Sequence, residues 1–255
     1  MTLAALDMDR VQSELPGNRI YWYPSIGSTM TEASRLAALG CESGTIVGAD
    51  EQTAGLGRFG RSWHSEPGSG LYVSIVLRYP FPADSLPVVT LALGLAASEA
   101  ILKATGLACD LRWPNDVLIN SKKCCGILTQ LEGAAIIAGI GINVNHPSFP
   151  DELGAIATSL RIAGGCEYSR ERLLVDLVPS VINHCELLEQ QGREPILEMF
   201  SRASSFVHGR RVYVDQGGSL LEGATAGLND SGFLLLNGDD GKQHVIIAGG
   251  VRPCS

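Results

Sequence analysis

The 255-residue chain is poor in positive charge, in aromatic residues and in any paired-cysteine pattern. Nineteen Lys and Arg face 27 Asp and Glu, a net charge of -8. A general nucleic-acid binder needs the opposite balance, so DNA is not an expected partner. The seven cysteines are odd in number, and neither Cys-x-x-Cys nor a zinc-like His/Cys spacing occurs. That leaves reduced thiols in a cytoplasmic protein, serving mainly as small apolar side chains. No apolar run is expected to reach the ~20 residues of a membrane span. The first ten residues carry Asp7 and Asp9 ahead of Arg10, unlike a signal peptide. What is abundant is apolar: 45% of residues, enough for a sizeable core in one domain, or in one domain plus a small one.

Against this acidic background, Gln52 to Trp63 stands out with Gly55, Gly57 and Gly60 interleaved with Arg58, Arg61 and the large aromatic Trp63. Glycine lets backbone N–H groups approach a ligand, and arginine adds a fixed fork of donors for phosphate or carboxylate. The segment is therefore expected to be a loop that closes over an anion. Apolar runs at Thr45 to Val47 and Leu71 to Leu77 flank it.

The rest of the chain alternates between strands and helices. Residues 1–19 read as a short lead. Ile20 to Tyr23 reads as a strand, and Ser28-Thr29 as the N-terminus of a helix that stops at Gly40. A hydroxyl pair at that position either caps the helix or serves a ligand. Leu86 to Lys103 is a long helix, nearly uncharged until Glu99, expected to be buried on most faces. Trp113-Pro114-Asn115-Asp116 forms a turn after a strand, and Asn120-Ser121 makes a hairpin. Lys122 to Leu128 and Ala134 to Val144 are further strands. In the latter, Gly139 and Gly141 fit either a bulge or a close approach. Residues 150–205 read as helical. From Phe206, short strands with Asp-Gly-rich turns suggest a small antiparallel barrel. The expected fold is α+β, a mixed and largely antiparallel sheet with helices on one face, with domains at 1–205 and 206–255.

Taken together and in order, these pieces resemble the biotin protein ligases. The pieces are Ser28-Thr29, the Gln52 to Trp63 loop, Trp113 to Asp116, Lys123-x-x-Gly126 and Gly139-x-Gly141-x-Asn143. The resemblance implies a class II synthetase-like catalytic domain with a small SH3-like barrel. It implies attack of the biotin carboxylate on ATP to give biotinyl-5′-AMP, then transfer to a lysine of a biotin carboxyl carrier domain of a carboxylase. Mg²⁺ would accompany ATP, with Asp116 helping to hold it. Ser28, Thr29, Met30, Gln52, Gly55, Leu56, Gly57, Trp63, Gly126, Gly139 and Gly141 would receive biotin. Arg58, Arg61, Trp63, Asn115, Lys123 and Asn143 would receive the nucleotide, with Arg58 and Lys123 also contacting biotin. Lys123 and Arg58 would be catalytic, with Lys123 touching both substrates. Leu56 and Arg112 depart from residues common in relatives, a cation and a lysine respectively. The resemblance implies an enzyme without repressor function, monomeric or homodimeric. The alternatives are a lipoate or octanoate ligase of the same fold family, and a biotin-binding protein that has lost catalysis.

Overall fold

A computed structural model describes residues 6–215 and 220–254. The lead contains a short helix, α1 (Met8–Glu14), capped by Asp7, with Val11 buried. Then follow β1 (Ile20–Tyr23), α2 (Thr29–Ala38), β2 (Ile46–Ala49), β3 (Gly70–Leu77) and α3 (Leu86–Thr105). The meander β4 (Asp110–Arg112), β5 (Asp116–Ile119), β6 (Lys122–Glu132) and β7 (Ala135–Asn143) completes a seven-stranded sheet in the order β1-β2-β3-β7-β6-β5-β4. Among the described strands of this sheet, only β1 and β2 pair in parallel; every other ladder is antiparallel. The β5–β6 turn falls at Asn120 and Ser121, both with positive φ (51° and 64°), the backbone that a two-residue hairpin requires.

The helices do not share one face, as expected from the sequence, but cover both. Strand alternation divides the side chains. Ile46, Ile75, Ile136 and Ala138 point into the main core with α3 and α6 (Arg170–Gln191). Val47, Val76 and Ile137 point the opposite way, against Met30, Ala33 and Leu36 of α2. The segment Ala83–Thr105 is long and apolar enough to cross a membrane, longer than the sequence reading allowed, but 72% of its most apolar window is buried inside the protein. It is a core helix, stopped by Gly106 in the left-handed conformation (φ 75°).

Short helices α4 (Asp151–Gly154) and α5 (Leu160–Gly164) precede α6, and α7 (Arg193–Ala203) follows it. The last unit is an antiparallel sheet of β8 (His208–Asp215), β9 (Leu220–Leu228), β10 (Leu234–Gly238), β11 (Gln243–Ile246) and β12 (Gly250–Pro253). Its order is β11-β10-β9-β8-β12, with no closing pair among the described residues. Val212, Val214, Leu234 and Ile246 join the same apolar cluster as α3 and α6. The indole Nε1 of Trp113 donates to the Gly232 carbonyl at 2.9 Å, so the small unit is bonded to the large one.

Candidate active site

The site lies on the α2 face of the sheet, where two neighbouring strands present three glycines side by side. Gly126 of β6 pairs with Gly141 of β7, and Leu128 pairs with Gly139. Tyr72 and Ser74 of β3 pair with Gly141 and Gly139 from the other side. The result is a shelf of bare backbone. In this structure Trp63 and Met30 rest on it. A Cβ on Gly141 would lie 2.6 Å from Trp63, one on Gly126 2.7 Å from Trp63, and one on Gly139 2.5 Å from the Met30 sulfur. The close approach, rather than a bulge, is the reason for glycine here.

At one end of the shelf the first turn of α2 meets Gln52. Thr29 donates to Gln52 Oε1 through both its backbone N–H (2.9 Å) and its hydroxyl (3.0 Å), and Ser74 donates to the Thr29 hydroxyl (2.9 Å). Gln52 in turn donates to Ser65 at 3.1 Å. The chain thus orients the carboxamide before any ligand arrives. Ser28 occupies the N-cap position but makes no capping bond; its hydroxyl is buried and unpartnered. The capping role open in the sequence is not used, and a buried hydroxyl without a partner points to a missing one.

The Gln52–Trp63 segment folds back on itself. Trp63 N–H donates to Gly55 O (2.9 Å), Gly57 N–H to Arg61 O (2.7 Å), and Leu56 bridges Ser62. A Cβ on Gly55 would lie 2.7 Å from the Trp63 carbonyl, so that glycine closes the stem. The tip turns through Phe59 and Gly60, both at positive φ. Arg58 points inward and donates to Asn115 Oδ1 at 3.0 Å, while Asn115 donates to Ile127 O at 2.8 Å. Burial lowers the Arg58 pKa, against the pull of Asp116, but a guanidinium stays charged at neutral pH. Arg61 is exposed on the outer side of the loop.

Lys123 occupies the centre. It lies over the Trp63 ring (5.1 Å to the centroid) and pairs with Asp116 at 2.5 Å. Its backbone is pinned by Lys123 N–H to Ile156 O and Thr158 N–H to Lys123 O, both 2.9 Å. Lys122, its neighbour, is exposed and donates to Gly154 O, so the two adjacent lysines face opposite ways. Arg112 grips the other Asp116 oxygen with Nη2 (2.6 Å) and Nε (3.2 Å), a two-donor grip for which lysine lacks the shape. Burial pushes the Asp116 carboxyl up, but Lys123 and Arg112 outweigh it and hold it below its ordinary range.

Two cavities meet at Lys123 and Trp63. The smaller, about 60 Å³, lies over the shelf; Thr29, Met30, Gln52, Leu56, Gly57, Arg58 and Asn115 line it along with the three glycines. The larger, about 200 Å³, opens on the other side and is lined by Arg61, Asn143, Asp116 and Arg112. Asn143 is buried and donates to Thr158 O (3.1 Å), bracing the segment that pins Lys123. Asp116 is the one carboxylate on either cavity among the described residues, and both its oxygens are occupied by cations. With both oxygens engaged by cations, Asp116 does not offer Mg²⁺ a ready ligand in this structure; the residue expected to help hold metal is paired with Lys123 and Arg112. Tyr72, which also lines the smaller cavity, and Arg112 were not foreseen as site residues. Only strand pairing, with Tyr72 opposite Gly141, brings the tyrosine there.

A glycine shelf, a closing arginine loop and a central lysine make a site shaped for an anionic ligand laid against bare backbone. The model of the "Biotin/lipoate A/B protein ligase family" matches residues 22–146, and that of the "Biotin protein ligase C terminal domain" matches residues 207–251. The chain is 35% identical over 245 residues to the bifunctional ligase/repressor BirA of Bacillus spizizenii, covering 93% of this chain and 75% of that protein. It is 33% identical to the biotin--[acetyl-CoA-carboxylase] ligase of Paracoccus denitrificans, covering 85% and 93%. Among solved structures, the biotin protein ligase from Aquifex aeolicus in complex with biotin and ATP superposes with a TM-score of 0.82 at 29% identity, covering 92% of this chain and 99% of that one. The chain belongs to the biotin protein ligase family.

Proposed function

We propose that this chain activates biotin with ATP and transfers it to a lysine of a biotin carboxyl carrier domain of a carboxylase. The observation that carries the reading is Lys123, set where the two cavities meet. A carboxylate over the shelf and a phosphate in the larger cavity would both lie within its reach. In the first step a biotin carboxylate oxygen attacks the α-phosphorus of ATP, the bond to the bridging oxygen breaks, and pyrophosphate leaves. In the second, the carrier amine attacks the acyl carbon and AMP leaves with the bonding electrons. No enzyme nucleophile is required, so catalysis is positioning and charge neutralisation.

The residues divide accordingly. Thr29, Gln52 and the unpartnered Ser28 hydroxyl offer donors and acceptors to the polar head of biotin, with Met30, Trp63 and the bare backbone at Gly126, Gly139 and Gly141 against its apolar body. Gly55, Leu56 and Gly57 carry the loop across. Arg58, steadied by Asn115, neutralises charge on the anhydride, and Arg61 serves the phosphates from outside. Asn143 shapes the nucleotide cavity. Asp116 positions Lys123. Mg²⁺, when it arrives with ATP, would offset charge on the triphosphate, whose own oxygens would hold it. Trp63 rests on the glycine shelf that biotin would occupy, so it would shift to admit the ligand. The seven cysteines, all free, support a reducing compartment such as the cytoplasm.

Incubation with ATP, Mg²⁺ and either biotin or lipoate, read by mass spectrometry, tests the reading. Biotinyl-AMP formed with biotin alone is expected. Lipoyl-AMP would move the chain to the lipoate branch of the family, and biotin bound without adenylate would make it a binding protein.

A further inference from the structure

At the edge of the larger cavity, which His64 and Phe149 also line, the structure brings together His64, Glu66 and His146. One nitrogen of each imidazole and one Glu66 carboxylate oxygen lie within 4.8 Å of one another. Three polar side chains can meet by chance, and here the hydrogen bonds around His146 decide the matter. His146 is completely buried. The Tyr72 hydroxyl has a single proton, which it donates to the Glu66 carbonyl at 3.1 Å. With that proton so placed, its oxygen, 3.2 Å from His146 Nε2, accepts from that nitrogen in the tautomer that protonates Nε2. Nδ1, buried and without a partner, is then a bare lone pair. An imidazole with one N–H held by an oxygen and the other nitrogen free can ligate a metal through the free nitrogen. Phe149 stacks on the same ring, with centroids 5.1 Å apart, and so fixes its plane.

We propose that His64, Glu66 and His146 bind one divalent transition cation of the zinc class, and that this ion clamps the stem of the glycine–arginine loop to the sheet. Two imidazoles and a carboxylate select such an ion over Mg²⁺ or Ca²⁺, which prefer all-oxygen ligands. Bonds of about 2.0–2.2 Å place tetrahedral ligand atoms about 3.3 Å apart, so the cluster must contract modestly. His64 is exposed, and its side chain can make that movement. With three protein ligands, a fourth position stays open to water. The clamp follows from chain connectivity. His64 adjoins Trp63, which covers the shelf and whose N–H closes the loop stem. His146 follows β7, and Glu66 lies between the loop and β3. Metal bound to all three would tie Trp63, which would shift, to the strands, which do not. Neither binding nor clamping depends on which acyl group the enzyme activates.

The test uses the full chain, stripped with a chelator and titrated with Co²⁺, then Zn²⁺. One equivalent of Co²⁺ is expected, with visible ligand-field bands from nitrogen and oxygen donors, displaced by Zn²⁺. His64→Ala and Glu66→Gln, both away from the buried core, should each weaken Co²⁺ binding at least tenfold while circular dichroism in chelator stays unchanged. Sulfur-to-metal charge-transfer absorption, which would mean cysteine ligands, would overturn the site. So would absent binding, or binding equal in both variants and the parent. For the clamp, Zn²⁺ should slow tryptic cleavage at Arg58 and Arg61 several-fold in the parent and not in His64→Ala. Equal cleavage with and without bound Zn²⁺ would refute it.

Discussion

The two faces of the seven-stranded sheet are built to opposite specifications. The face under α3 and α6 is filled with branched aliphatic side chains, and no polar group reaches it from β7: Ile136, Ala138, Ile140 and Ile142 all point inward. The face under α2 begins in the same way, with Val47, Val76 and Ile137. It then changes within the same strands to Tyr72, Ser74, Gly126, Gly139 and Gly141. Strand β7 therefore fills the main core with its even-numbered residues and faces α2 and the shelf with its odd ones. Because the pleat has a period of two, a mutation on β7 should damage one property and spare the other.

Four substitutions or conditions would break or sharpen that contrast. The largest effect is expected from Lys123→Ala, which removes the cation between the cavities. Pyrophosphate release should fall about 10³-fold, a loss of about 4 kcal/mol in the transition state, with the fold retained by circular dichroism. Near-parental turnover would remove Lys123 from the chemistry. On the opposite face, Leu93→Ala empties space beside a fully buried position. Urea denaturation should show a loss of about 2–5 kcal/mol, while biotin affinity of the folded protein stays the same; a parallel drop in affinity would erase the contrast between the faces.

Acid should weaken the protein through His146, whose pKa burial lowers to about 4, with His64 adding to the effect. The unfolded chain then holds more protons than the native one between about pH 6.5 and 4. Stability must therefore fall as pH drops through that window and level off below it, by up to about 3 kcal/mol. Urea midpoints in chelator, compared with His146→Gln, measure it; identical slopes would discard the assignment. The smallest effect is Gly141→Ala. Its new methyl meets Trp63 at 2.6 Å, and overpacking of this kind costs about 1–3 kcal/mol. Biotin binding, followed calorimetrically, should weaken by about tenfold to a hundredfold while the main core is untouched.

Much of this architecture is legible in the sequence, because local chemistry dictates it. Gly40 and Gly106 end helices with positive φ, Asn120 and Ser121 turn the hairpin, and the glycine–arginine loop announces its own chemistry. The missed features depend on distant partners. Helix α2 reads as amphipathic without revealing which face of the sheet it covers. Strand β12, unforeseen, is fixed by pairing with β8. Arg58 and Asn115 are 57 residues apart, and nothing near either one points to the other. Asp116 carries the same lesson: beside Pro114 and Asn115 it reads as a turn residue or a metal ligand, and only Arg112 and Lys123 in space give it its role. The hydroxyl of Tyr72 and the free nitrogen of His146 lie within an otherwise ordinary strand and loop.

The Trp113–Gly232 bond spans 119 residues and bears on how the protein is made. At about 5–20 residues per second, the ribosome delivers the Gly232 carbonyl roughly 6–24 s after the indole that needs it. During that interval the turn bearing Asn115 and Asp116 has emerged but lacks its anchor. The turn that carries Asn115 and Asp116 thus gains its anchor only when the last unit appears, and chains stalled before Gly232 should be cleaved faster by proteases than the full chain.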